Sequence, residues 1–277
     1  MTAETILVTG STDGIGRVTA RILAEQGHRV LIHGRNREKG RSVRDSIREA
    51  TGSDQLDLFI ADLTDRQNIR DLAADVTETY GRLDVLINNA GVFQPEREVA
   101  PGGIEMTLAV NFLAPFLLTH ELLPLLEASR STRIVNVASI AHRSVHAIDW
   151  ENLPAGENYD PYTAYAVSKV GVIAFTRRLA GMLEGTGVTV NSLHPGVIDT
   201  KLLRAYAGEN SGGAPPEQGA AVEVYVATAP EAGEVSGRYF EKKQETMPSA
   251  LARDAGVQKR FWHLGMELTG IEEWQVG

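Results

Sequence analysis

A short apolar run, Ile6–Thr9, breaks into Gly10-Ser11-Thr12-Asp13-Gly14-Ile15-Gly16 and continues as an amphipathic segment, Ile15–Glu25. Few strings restrict a fold more. Glycines permit a tight turn, close backbone approach to a bound group and close strand–helix packing. A helix opening at such a turn presents unpaired N–H groups and its positive end to whatever sits there. The string therefore reads as a strand–loop–helix that cradles the pyrophosphate of a dinucleotide. Further β-rich runs follow at Arg29–His33, Gln55–Ile60, Asp84–Asn88, Arg133–Ala138 and Thr189–Leu193. Helical patterns lie between them, near Glu38–Ala50, Arg66–Tyr80, Gly103–Ala128 and Tyr162–Leu183. Strands alternating with helices of this length predict parallel pairing and right-handed crossovers. The expected fold class is α/β: an open, doubly wound parallel sheet with helices on both faces. A chain of 277 residues with 43% hydrophobic content suits a single domain over residues 1–277.

The nucleotide can be argued further. A carboxylate about 20 residues past the last glycine would bind a ribose 2′-hydroxyl. The end of the second strand instead reads His33-Gly34-Arg35-Asn36, with no acid. A guanidinium there matches a 2′-phosphate, so NADP(H) is expected in preference to NAD(H).

The net charge of −9 argues against a nucleic-acid partner. The chain has no cysteine, which excludes disulfides, thiolate chemistry and cysteine-based zinc sites; no metal site is expected. The first strand begins near Thr5, so no secretory leader is expected. The most apolar stretch, Leu108–Ala128, carries Asn111, His120, Glu121, Pro115 and Pro124, and reads as a buried helix rather than a membrane anchor. A cytoplasmic protein is the expectation. Gly208–Pro216 lies in an expected mobile substrate loop, about residues 200–216. The tail, about residues 248–277, holds Phe261, Trp262, Leu264 and Leu268 and should pack back as a helix.

The chemistry points to Tyr165-Ala166-Val167-Ser168-Lys169. Residues four apart share a helix face. A phenol titrates near pH 10 in isolation, and a fixed ammonium beside it favours the phenolate. The pair is read as a general acid/base tuned towards working pH. Separately, Pro115 has no N–H to give the carbonyl of Asn111 in a helix, which leaves that carbonyl open to a water.

Together these motifs resemble the short-chain dehydrogenase/reductase family over nearly the whole chain. The likeness also rests on Asp62 after the third strand, Asn88-Asn89-Ala90-Gly91 after the fourth, Asn111, Ser139 after the fifth, and Pro195-Gly196 with Thr200 after the sixth. The resemblance implies a Rossmann-type sheet of order 3-2-1-4-5-6-7 and a catalytic set of Asn111, Ser139, Tyr165 and Lys169. It implies cofactor contacts from Gly10 to Gly16 (Ser11, Thr12, Asp13, Gly14 and Ile15 included) and from Arg35, Asn36, Asp62 and Leu63. Asn89, Ala90, Gly91, Tyr165, Lys169, Pro195, Gly196, Val197 and Thr200 complete that set. The run Ser139-Ile140-Ala141-His142-Arg143, the insert before Tyr165 and Ser236-Gly237-Arg238-Tyr239-Phe240 are most similar to the retinol-dehydrogenase-like branch. Phe93, His142 and Arg143 are the expected substrate residues. The implied activity is hydride transfer between nicotinamide and a small-molecule carbonyl or alcohol. The alternative is a non-catalytic cofactor-binding sensor or scaffold. Family members pair through the two helices containing Asn111 and Tyr165, so a homodimer or homotetramer is expected.

Overall fold

The computed structural model describes residues 3–129, 131–153, 156–208 and 212–276. Residues 209–211 of the expected substrate loop and the last residue of the tail lie outside them. Strand β1 (Thr5–Val8) is fully buried at Ile6, Leu7 and Val8 and occupies the middle of the sheet. It pairs in parallel with β2 (Arg29–Gly34) on one side and β4 (Val85–Asn88) on the other. Strands β3 (Leu56–Ile60), β5 (Thr132–Val137), β6 (Val188–His194), β7 (Tyr239–Glu241) and β8 (Gln244–Glu245) complete it. Among the described residues the result is one eight-stranded sheet of order β3-β2-β1-β4-β5-β6-β7-β8.

The sheet exceeds the expected order by one strand. β8 pairs antiparallel with β7 across Lys242 and Lys243, both left-handed with φ of 50° and 65°. Two consecutive positive φ values make the tight hairpin turn whose twist matches its strands. A two-residue strand is too short to leave a periodic signal in sequence.

The principal helices are α1 (Gly14–Glu25), α2 (Arg37–Thr51), α3 (Arg66–Thr79), α4 (Met106–Leu108), α5 (Ala114–Glu127) and α6 (Pro161–Met182). After them come α7 (Lys201–Ala207), α8 (Pro216–Thr228), α9 (Pro230–Gly233), α10 (Ala250–Arg253) and α11 (Ala255–Thr269). Asp13, Asn36, Asp65 and Asp160 cap the starts of α1, α2, α3 and α6, each accepting from a backbone N–H of the first turn. One core lies between the sheet and α1, α2 and α8, the other between the sheet and α3, α5 and α6. Helices α4 and α5 are joined by a π turn, Ala109–Leu113, just before Pro115. A π turn accommodates a residue that cannot donate in the α pattern. Met106–Glu127 is long and apolar enough to cross a membrane, yet 83% of its apolar window is buried inside the protein.

The tail packs back as expected, and where it packs matters. Phe261 and Trp262 of α11 and the following Trp274 lie on the outer faces of α5 and α6. Trp262 stands 5.2 Å from Phe116 and Trp274 5.1 Å from it, ring centre to ring centre. Phe261 sits against Gly171 of α6, where a Cβ would come within 2.9 Å of its ring. The helix pair expected to meet a second copy is thus covered by the chain itself. A second unusual contact joins α1 to α8. Glu223 is fully buried there; its Oε2 accepts from Thr19 at 2.7 Å, and its Oε1 has no hydrogen-bond partner among the described residues. Burial pushes that carboxyl up to about 8 despite the Thr19 bond.

Candidate active site

The turn after β1 fits a bound group because its glycines leave no room for side chains. Gly10 and Gly14 are left-handed, with φ of 66° and 47°. A Cβ on Gly10 would come within 3.0 Å of the Ala90 backbone, and one on Gly16 within 2.3 Å of Asn89 Nδ2. The segment after β4 is clamped onto this turn. Asn89 and Ala90 N–H groups donate to Thr9 Oγ1, and Asn89 Nδ2 donates to the Thr9 carbonyl. Ser11 Oγ donates to Val8 O and accepts from His33 N–H. Thr12 fills the space that a side chain on Gly34 would need, and Ile15 packs against Gly219 of α8. Thr200 faces the turn from the other wall, its methyl 3.2 Å from where a Gly14 Cβ would lie.

Asp13 ties the two walls together. Its carboxylate pairs with Lys39 of α2 at 2.5 Å and with Lys201 of α7 at 2.8 Å. Partial burial alone would raise its pKa, but the bonds from Lys201, Lys39 and Gly14 hold it well below the ordinary carboxylate range. Arg35 is exposed at the end of β2, and neighbouring Asn36 uses its side-chain oxygen to cap α2. Asp62 accepts from Thr64 N–H beside half-buried Leu63. After β6, Pro195 leads to left-handed Gly196 (φ 106°) and exposed Val197, whose carbonyl accepts from Ala214.

The expected catalytic residues converge next to this cradle. Gly91 links them to it: a Cβ there would lie 3.3 Å from Asn111 Oδ1 and 3.6 Å from Lys169 Nζ. Asn111, buried in the π turn, bonds both backbone groups of Val92 and donates to Ser168 Oγ at 3.1 Å. Lys169 Nζ donates to Val137 O at 2.8 Å and lies 5.6 Å from the centre of the Tyr165 ring. Ser139 begins a 3₁₀ turn, Ile140–Ser144, accepting from Ala141 N–H, and its hydroxyl faces that of Tyr165 and favours the anionic form. Phe93 meets the Tyr165 ring edge-on at 5.8 Å, Tyr206 of α7 meets Phe93 at 5.3 Å, and Tyr162 stacks on Tyr206 at 5.4 Å. The arrangement is a hydroxyl pair and a cation at the end of a pyrophosphate cradle, under an aromatic wall.

The sequence model of the short chain dehydrogenases matches residues 4–210. The chain belongs to the short-chain dehydrogenase family. It is 37% identical to human retinol dehydrogenase 13 over 97% of this chain and 85% of that protein. It is 41% identical to mouse polyprenol dehydrogenase, covering 95% of this chain and 83% of that one. Its fold overlays RhlG of Pseudomonas aeruginosa, solved with NADP in the active site, with a TM-score of 0.72 at 27% identity; 87% of this chain and 94% of that one are covered. These relatives agree with the retinol-dehydrogenase-like branch that the sequence resembles.

Three features of this short-chain dehydrogenase depart from the sequence-based picture. Burial, not the ammonium, dominates the Tyr165 phenol and pushes it up to about 12, while Ser139 pulls it down. Burial likewise pushes Lys169 down to about 8. His142, expected to face substrate, is fully buried behind Ser139. Arg143 stays exposed but is already engaged, bonded to Glu241 at 2.8 Å and to the Met247 carbonyl at 3.2 Å. Side-chain type and spacing cannot say which residues of an irregular turn face inward.

Two contributors were missed. Ser168 is fully buried and links Asn111 to the Tyr165 backbone, to whose carbonyl it donates at 2.7 Å. His33 accepts from Gly10 N–H at Nδ1, so its proton sits on Nε2, which bonds Ala61 O at 3.2 Å. Burial pushes His33 down to about 4 and keeps the ring neutral under the glycine turn. For Ser168 the position between Tyr165 and Lys169 was the available signal; for His33 there was none.

Proposed function

We propose that the protein is an NADP(H)-dependent oxidoreductase, acting as a carbonyl reductase and alcohol dehydrogenase on a small molecule with an apolar body. The observation that carries this reading is the facing pair of Ser139 and Tyr165 hydroxyls, with Lys169 at 5.6 Å, at the end of the glycine cradle. The cradle suits a dinucleotide because added Cβ atoms would fill it. The turn Gly10–Gly16 would hold the pyrophosphate and Arg35 the 2′-phosphate. Asp62 and Leu63 would line the adenine side, Lys169 would hold the nicotinamide ribose, and Pro195–Val197 with Thr200 the nicotinamide side. Bound there, NADP(H) supplies or takes up the hydride.

The chain's own residues handle the proton. In reduction Tyr165 gives its hydroxyl proton to the substrate oxygen, and in oxidation it takes that proton back. Ser139 hydrogen-bonds the same oxygen and holds it beside the phenol. A phenol kept protonated by burial starts as the acid that reduction needs. The phenolate left behind is stabilised by Ser139 and the Lys169 charge. The wall of Phe93, Tyr206 and Tyr162 supports an apolar substrate body, and the relatives are named for retinol and polyprenol, both alcohols. The burial of Met106–Glu127 supports work in the cytoplasm. The aromatic cover on α5 and α6 supports a monomer over the expected dimer.

NADPH oxidation with a panel of aldehydes, ketones and quinones tests the reading. Tyr165→Phe should lower kcat by about a hundredfold to ten-thousandfold while leaving NADPH affinity within about twofold. Equal turnover by wild type and Tyr165→Phe, or NADPH binding without turnover of any substrate, would turn the reading towards a sensor.

A further inference from the structure

We propose that His142 is a positioning residue for the reaction: its imidazole, in the Nδ1–H form, locks the carbonyl of Ser139 and thereby fixes where the Ser139 and Tyr165 hydroxyls meet. The inference rests on the catalytic reading above and deepens it. His142 Nδ1 lies 2.6 Å from the Ser139 carbonyl oxygen. A carbonyl only accepts, so Nδ1 carries the hydrogen. The His142 backbone N–H donates to the same oxygen at 3.3 Å. One carbonyl is therefore held by both the backbone and the ring of a residue three positions on.

The other ring nitrogen agrees. Nε2 is buried with no hydrogen-bond partner among the described residues. In this tautomer it is a bare lone pair, and an unpartnered acceptor is better tolerated in a core than an unpartnered N–H. The ring is fully buried and packs edge-to-face on Tyr239 of β7, with centres 4.9 Å apart and planes at 76°. Tyr239 is itself a fully buried wall of the sheet. The ring has little room to turn, so its hydrogen bond to Ser139 O is fixed in direction as well as in length.

The rest of the turn is braced on the same strand. Arg143, the next residue, reaches Glu241 of β7 and the Met247 carbonyl. Through His142 and Arg143, the turn that begins at Ser139 is held to β7 at two neighbouring points. The charged and titratable groups facing His142 are Arg143 on its own turn and Glu241 on β7, with Tyr239 on β7 and His194 on β6. Burial outweighs them and holds the ring neutral, its pKa below the ordinary histidine value. The link thus runs from Tyr239 through His142 to the Ser139 carbonyl, and from the Ser139 hydroxyl to Tyr165.

Two measurements on the full chain test this. The first needs no substrate. Nitrogen-15 NMR of the His142 ring should show the neutral Nδ1–H tautomer, unchanged from about pH 9 down to about pH 7. An Nε2–H tautomer, or protonation within that range, overturns the proposal. The second compares His142→Asn with His142→Gln. The Asn amide can place a donor near the position of Nδ1, whereas the longer Gln amide reaches that of Nε2. His142→Gln should lower kcat by about tenfold or more with NADPH affinity unchanged, and His142→Asn should recover most of that loss. Equal loss in both variants, or loss in neither, overturns the proposal. Absence of wild-type turnover would fail the catalytic reading instead, while the tautomer still decides whether Ser139 is held as described.

Discussion

Replacing Glu223 with Gln should change how stability depends on pH, and the size of the effect follows from where this carboxyl sits. It is fully buried between α1 and α8, with one oxygen bonded to Thr19 at 2.7 Å and the other without a partner among the described residues. Its pKa is about 8 in the fold against a reference value of 4.5. Between those two values the folded protein holds a proton that the unfolded chain has lost. Stability is therefore full below the lower value and falls as pH rises towards the higher one. Each unit is worth about 1.4 kcal/mol, so the full window amounts to about 5 kcal/mol and the part felt at neutral pH to about 3 kcal/mol. A Gln side chain does not titrate. Its amide adds a buried donor and costs about 1–3 kcal/mol if unpaired, but that penalty is the same at every pH. The informative quantity is thus the slope. In urea melts from about pH 5 to about pH 8, the stability of Glu223→Gln relative to wild type should improve by about 3 kcal/mol. In thermal melts that is a relative gain of about 6–12 °C for a chain of this size. Two curves that stay parallel would refute the reasoning, since Glu223 would then titrate as an ordinary carboxyl.

Other expected outcomes come from the cradle and the cover. Gly16→Ala places a Cβ 2.3 Å from Asn89 Nδ2 and 2.8 Å from the Gly10 carbonyl oxygen; calorimetric titration should show NADPH affinity lost or lowered by about a hundredfold. Arg35→Ala should lower kcat/KM with NADPH by about tenfold or more and leave NADH nearly unchanged, because only the 2′-phosphate loses its partner. Equal losses with both cofactors would count against Arg35. Trp262→Ala removes a side chain packed on Phe116, Phe175 and Trp274, which should cost about 3–5 kcal/mol in denaturant melts. Size-exclusion chromatography with light scattering should give a wild-type monomer and self-association of that variant.

The parts of this protein that recur with a period, or that need glycine, were legible in its residues. The strands through β6 fall within one or two residues of their expected places, because apolar runs between amphipathic segments have few other ways to pack. Gly10, Gly14 and Gly16 marked the cradle because no other residue fits there. What was hidden depends on solvent and on long-range contacts. The lowering of the Tyr165 pKa expected from Lys169 assumed an ammonium acting in water, whereas burial acts more strongly on both groups. His142 and Arg143 carry polar side chains in a loop, where exposure is the usual state, but Tyr239, nearly a hundred residues away, packs on a buried His142, and Glu241 pairs with an Arg143 that stays exposed. The role of His33 likewise appears only when β2 lies beside β1 and Nδ1 meets the Gly10 amide.

Phe261 touches the neighbours of two tetrad members at once: Phe112, beside Asn111, at 5.3 Å between ring centres, and Gly171, two residues beyond Lys169. The far end of the polypeptide thus acts as a keystone over the pair of helices that hold the chemistry. Sequence drift in that stretch can alter turnover without ever meeting substrate, and a swap of such tails between relatives would transplant rigidity along with surface.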